Sequence, residues 1–194
     1  MKAVKIKKIK KSITHVEMKK LIAFTLYDDE IKNFNRERLL KIFTLLYYSG
    51  MRVNELTQIT YQHIEEIVQT EETIITTHKT KSQRVLFFSQ KAIKEIKKYF
   101  SRFNDKSEYV ICSWGKPSRG FHPISLISLV NKYMQKVLGA GYSSHSFRQG
   151  IITEFASNSV NPRVIQSFIG HRNVKTTLNY IKPTADDVKN SLVR

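Results

Sequence analysis

Between residues 39 and 46 the apolar side chains Leu39, Leu40, Ile42, Phe43, Leu45 and Leu46 recur at helical spacing, and Gly50 follows as a natural stop. This predicts a buried helix. Upstream, Thr14-His15-Val16-Glu17 has the form of a capping box, in which hydroxyl and carboxylate satisfy free amides, and it predicts a helix running to about Tyr27. Between Ile64 and Phe88 the period changes. Glu66 to Val68, Thr73 to Thr77 and Arg84 to Phe88 are short β-branched and aromatic runs, which predict a small three-stranded antiparallel sheet. The turn His78-Lys79-Thr80-Lys81-Ser82 joins its last two strands. Helices then return over Lys91 to Phe103 and, after the loop Gly115 to Pro123, over Ile124 to Leu138. Ser144 caps a helix through Ala156, Asn161-Pro162 opens one to Phe168, and Thr184-Ala185-Asp186-Asp187 opens a short terminal one. The fold class expected is mainly α with a small sheet inserted early.

Length and charge narrow the partner. The 194 residues suit one domain, residues 13–194, behind a short basic lead-in at 1–12. Lys and Arg number 33 against 16 Asp and Glu, a formal net charge of +17, which opposes compaction unless a polyanion neutralises it. The charge is scattered along the chain instead of lying on an amphipathic helix, so nucleic acid is preferred over a membrane surface. Six lysines fall within the first eleven residues, yet the apolar stretch and cleavage site of a signal peptide do not follow. A cytoplasmic location is expected. Cys112 stands alone, which excludes a disulfide framework and a thiolate zinc site.

Cutting a phosphodiester needs a nucleophile, charge stabilisation on the non-bridging oxygens and a proton for the departing oxygen. The acidic groups Asp28-Asp29-Glu30, Glu65-Glu66 and Asp186-Asp187 are adjacent pairs that read as solvated charge, not as a two-metal site. No Gly-rich phosphate loop is present. The reaction expected therefore uses no metal, nucleotide or other cofactor. In Ser144-His145-Ser146-Phe147-Arg148 an imidazole and a guanidinium lie three residues apart on one helix face, and Ile169-Gly170-His171 and Tyr180 follow.

These blocks resemble the tyrosine recombinases, a family that includes phage integrases and Xer-type resolvases. Gly50-Met51-Arg52-Val53-Asn54-Glu55-Leu56 looks like the family's first arginine box. His145-Ser146-Phe147-Arg148 is similar to its H-x-[LF]-R box. Ile169-Gly170-His171 with Thr176-Thr177 and Tyr180 matches its last box. The resemblance covers about residue 14 to the end and concerns the catalytic domain; the helical core-binding domain that usually precedes it is not expected within these residues, which read either as a fragment or as a short invertase-like member. It implies the tyrosine recombinase catalytic fold, and Gln149 departs from it where a second His is frequent.

Tyr180 is then expected to attack the scissile phosphorus, storing bond energy in a 3′-phosphotyrosine, and the resemblance implies strand exchange through a Holliday junction. Arg52 and Arg148, singled out by the two boxes, are expected to hold the non-bridging oxygens through their planar, permanently charged forks. His145 is expected to accept the phenolic proton, an ordinary imidazole pKa near 6.5 suiting a base at neutral pH, and His171 to donate to a non-bridging oxygen. By resemblance Glu55 orients the site, and a lysine of the strand-joining turn protonates the departing 5′ oxygen. Lys79 is favoured there over Lys81. The resemblance also implies a homo-tetramer on double-stranded DNA with the C-terminal segment exchanged between subunits. The nearest rival is relaxation by a type IB topoisomerase, which usually has Lys in the place of His145.

Overall fold

Thr14 opens the first helix as its sequence requires. In the computed structural model, residues 11–76, 83–100, 108–113, 116–171 and 173–178 are described. Glu17 Oε2 accepts the Thr14 N–H at 2.6 Å and Thr14 Oγ1 accepts the Glu17 N–H at 3.4 Å, which starts α1 (His15–Tyr27). The second helix, α2 (Asn33–Ser49), ends at Gly50 in the left-handed conformation, φ 59°. Every residue from Leu39 to Leu46 is buried, so this stretch of the helix is enclosed on all sides. It packs against α1, against the one-turn helix α3 (Val53–Leu56) and against α5 (Gln90–Tyr99).

The sheet differs from the expectation. Glu66, Ile67 and Val68 lie in a helix, α4 (Tyr61–Thr70), where Ile64 and Ile67 are buried three residues apart. Glu71 closes α4 in the left-handed region at φ 65° and donates its N–H to the Ile67 carbonyl. A short β-branched run carries strand propensity, but burial of one helical face decides here. The two remaining predicted strands are present. β1 (Glu72–Thr76) pairs antiparallel with β2 (Gln83–Phe87), with Ile75 opposite Arg84 and Thr73 opposite Leu86, all four buried. A second hairpin occupies part of the predicted loop: β3 (Cys112–Ser113) pairs with β4 (Lys116–Gly120). The described residues thus form two two-stranded sheets in a mainly helical fold, not one sheet of three.

Beyond β4 come α6 (Pro123–Leu138), α7 (His145–Ser157), α8 (Pro162–Ile169) and α9 (Val174–Leu178). Asn161 Oδ1 accepts the Arg163 N–H at 2.9 Å, the cap predicted for α8. Helix α5 ends at Tyr99, short of the predicted Phe103, and residues 101–107 and the predicted helix after Thr184 lie outside the described residues. The chain divides inside α7 into two units, Met1–Ile151 and Ile152–Arg194. The core of the first joins Leu21, Ile42, Phe43, Ile64, Val130 and Phe147. Among the described residues no helix is long and apolar enough to cross a membrane.

Candidate active site

In the first unit the end of α2 sets the site. Ser49 Oγ donates to the Leu45 carbonyl and accepts the Met51 N–H at 3.1 Å, so the chain turns sharply out of the helix at Gly50. Arg52 follows after Met51, in extended conformation ahead of α3. Glu55 Oε2 accepts the Arg52 backbone N–H at 2.8 Å, and Glu55 Oε1 accepts a hydrogen bond from Arg52 Nη1 at 2.9 Å. The carboxylate is buried, whereas the Arg52 side chain is 38% exposed. A buried carboxylate therefore holds a partly exposed guanidinium by both backbone and side chain.

A second arginine shares this carboxylate. Arg84 of β2 places Nη1 3.2 Å from Glu55 Oε2, with its own side chain 6% exposed. Burial pushes its pKa down, Glu55 pulls it back up, and Arg52 pushes it down again. Arg148 is also buried and donates through Nη1 to the Gly50 carbonyl at 3.0 Å. His145 stands exposed at the start of α7, beside Ser144, whose N–H is fixed by Asn131 Oδ1 at 2.7 Å. Arg52, His145 and Arg148 line one cleft of about 230 Å³ with Met51, Val53, Asn54, Ile127 and Ser144. Two guanidiniums and an imidazole thus converge on a space suited to an anion.

The chain entering α1 braces the same helix. Ile13 donates its N–H to the Ser146 carbonyl at 3.1 Å, and Lys11 donates to the Gly141 carbonyl at 3.2 Å. Gly150 permits this approach, because a Cβ there would sit 2.3 Å from the Ile13 carbonyl oxygen.

In the second unit, His171 is fixed from several sides. Its N–H donates to the Gln166 carbonyl at 3.0 Å, and Gln166 Nε2 donates to the His171 carbonyl at 3.0 Å. Its Nδ1 lies 2.9 Å from Oγ1 of the buried Thr177 on α9. Tyr180, Lys79 and Lys81 lie outside the described residues. Among the described residues no three His, Cys, Asp or Glu side chains gather as a metal site.

Three partners escaped the sequence reading: Arg84, the Gly50 carbonyl and the specific hydroxyl of Thr177. For Arg84 a signal existed. It is in phase with Leu86 along a strand, so it faces inward, and an inward arginine requires a carboxylate. The Gly50 carbonyl carried no such signal, because its partner lies far along the chain.

The sequence profile of the phage integrase family matches residues 11–186. The tyrosine recombinase XerA of Pyrococcus furiosus is 31% identical over 191 residues, covering 97% of this chain and 63% of that protein. This chain therefore spans less than two thirds of that relative's length. Among solved structures, a crystal structure of XerA recombinase superposes with a TM-score of 0.69 at 20% identity, covering 94% of this chain and 64% of the other. The Tn1549 transposon integrase, solved in complex with circular intermediate DNA, gives 0.70 at 17%, covering 93% and 66%. At those identities the two structures establish the fold. With the profile spanning most of its length, the chain belongs to the phage integrase family of tyrosine recombinases.

Proposed function

We propose that residues 13–194 form the catalytic domain of a site-specific recombinase that cuts and rejoins double-stranded DNA. The observation that carries this reading is the convergence of Arg52, His145 and Arg148, from two sequence boxes, on one cleft. The net charge of +17 and the DNA held by the Tn1549 integrase support a DNA partner.

The chemistry then runs through this chain's own groups. Arg52 and Arg148 neutralise the non-bridging oxygens of the scissile phosphate. The Tyr180 oxygen attacks phosphorus as His145 accepts its proton, and the bond to the 5′ oxygen breaks. Lys79, favoured over Lys81, protonates that oxygen. The product is a 3′-phosphotyrosine, and attack by the 5′ hydroxyl of a second duplex reverses the step, conserving one phosphodiester without ATP. A Thr177 hydroxyl donating to His171 Nδ1 keeps the proton of a neutral ring on Nε2, from which it can reach a non-bridging oxygen. Pairwise exchange through a Holliday junction calls for a tetramer, with the segment after Thr184 docked on a neighbouring subunit.

Covalent trapping tests the reading. A pool of randomised duplexes, nicked so that the cut fragment diffuses away, should yield detergent-resistant adducts with the wild-type chain and none with Tyr180→Phe. Absence of adducts from the wild type, or equal adducts from the variant, would refute it. Two marked copies of the selected site then separate exchange from relaxation alone.

A further inference from the structure

We infer that Arg84 is a positioning residue for this reaction, acting through Glu55 to aim Arg52 and preserve its charge for the scissile phosphate. The inference rests on the recombinase reading above.

Glu55 is 1% exposed, and a carboxylate so placed is costly unless hydrogen-bonded donors surround it. Three described donors do so: Arg52 Nη1 on Oε1 at 2.9 Å, and the Arg52 N–H and Arg84 Nη1 on Oε2 at 2.8 and 3.2 Å. The two guanidiniums have different surroundings. Arg52 is partly exposed and lines the cleft; Arg84 is buried and does not line it. Arg84 therefore reaches the cleft through Glu55.

Charge balance gives this arrangement its consequence. One carboxylate paired with Arg52 alone would offset that guanidinium's charge at close range. Shared between two guanidiniums, it leaves a trio carrying one net positive charge, whose exposed end is Arg52. The same contact ties β2 to the turn that bears Arg52. That strand begins directly after residues 77–82, the segment containing Lys79 and Lys81. Arg84 is thus placed to keep the phosphate clamp in register with the strand that follows the lysine-bearing segment.

The test compares Arg84→Met, which keeps an apolar stem, with Arg84→Lys, which restores a charge. Single-turnover cleavage is measured on the selected nicked duplex and on the same duplex with a methylphosphonate at the scissile position, which lacks one anionic oxygen. On the phosphate, Arg84→Met should cleave roughly 10- to 100-fold slower, the range for groups that orient a ligating side chain. DNA affinity should stay within about threefold, since a buried group contributes little direct phosphate contact. Arg84→Lys should recover much of the rate. On the methylphosphonate the deficit of Arg84→Met should shrink, because less charge remains for Arg52 to stabilise. Equal slowing on both substrates, or wild-type cleavage of the phosphate by Arg84→Met, would overturn the inference while leaving the recombinase reading intact. Should Arg84→Met fail to fold, Arg84→Gln takes its place, and the same comparison of the two substrates decides: a deficit that shrinks on the methylphosphonate supports the role, and none or an equal one overturns it. A wild type that forms no adduct overturns both.

Discussion

Arg148 reaches back 98 residues to donate a hydrogen bond from Nη1 to the Gly50 carbonyl at 3.0 Å. That carbonyl is aimed by a left-handed residue at the end of α2, so the glycine that stops the helix also positions the second arginine. Gly50→Ala should cost about 1–2 kcal/mol of stability, the strain of a Cβ at this φ. Gly50→Asn should cost less, because asparagine tolerates the region through local hydrogen bonding. Denaturant titration reads the stability, and covalent trapping reads the displacement of Arg148. Alanine matching wild type in both would show that the carbonyl's direction is immaterial.

The close approach of the entering chain to α7 gives a second expectation. Alanine at Gly150 would put its Cβ 2.3 Å from the Ile13 carbonyl oxygen, a backbone atom with no rotamer to yield. Gly150→Ala should destabilise the fold by roughly 1–3 kcal/mol, as overpacking does. The Ile13 amide, bonded to Ser146, should also lose protection from hydrogen exchange. Undiminished protection in the variant would mean that the entering segment adjusts without leaving α7.

Helix ends and enclosed helices were legible because their signals are local: the Thr14 box, the Gly50 stop and the Asn161 cap all appear where the sequence places them. The grouping of Arg52 with His145 and Arg148 was legible through the family resemblance, since nothing local joins an α3 turn to α7. Glu66 to Val68 misled because a three-residue run has too little period to separate strand from helix. The burial of Ile64 and Ile67 against the core, a tertiary effect, settled it. Arg84 was passed over as one more cation in a basic chain, although its phase with Leu86 marked it as facing inward.

Lys41 tests how much a buried cation matters to the fold. Burial opposes its charge, but hydrogen bonds from its ammonium to Glu37 and Tyr61 outweigh this and hold its pKa above the usual lysine value. Its Nζ also lies over the Phe100 and Tyr61 rings. Glu37 is mostly exposed and regains water if the lysine is removed. Lys41→Met, which keeps the stem, should therefore fall within about 1 kcal/mol of wild type. Lys41→Ala should cost about 2 kcal/mol or more through the cavity it leaves. Equal losses for the two would assign the stabilisation to charge instead of packing.

The cap of α4 should make stability depend on pH. His63 Nδ1 accepts the Thr60 N–H at 3.2 Å and lies 2.8 Å from Thr60 Oγ1. Burial holds the imidazole below its usual pKa, against opposing pulls from Glu66 and the Ile74 backbone. The folded state favours the neutral ring, so its stabilisation is complete above the unfolded value of about 6.5 and declines as pH falls below it. His63→Gln restores the ordinary Thr-x-x-Gln capping box without a titrating group. Its melting temperature should fall less than that of wild type between about pH 7 and 5. Parallel curves would remove His63 from the account of acid sensitivity.

The hydroxyl of Thr177 offers the sharpest test of how His171 is held. Oγ1 lies 2.9 Å from Nδ1 at a fully buried position, so a side chain of the same shape fits while the hydrogen bond is lost. Thr177→Val keeps the branched shape and removes the hydroxyl; Thr177→Ser keeps the hydroxyl and removes a methyl. If the hydroxyl fixes the ring's tautomer and direction, valine should slow covalent trapping by roughly 10-fold or more, with little change in DNA affinity. Serine should trap near the wild-type rate but lose about 1 kcal/mol of stability for the buried methyl. The two effects should therefore cross: valine is the worse enzyme and serine the less stable fold. Serine worse by both measures would reassign Thr177 to packing alone, and His171 would then owe its orientation to the paired backbone contacts with Gln166.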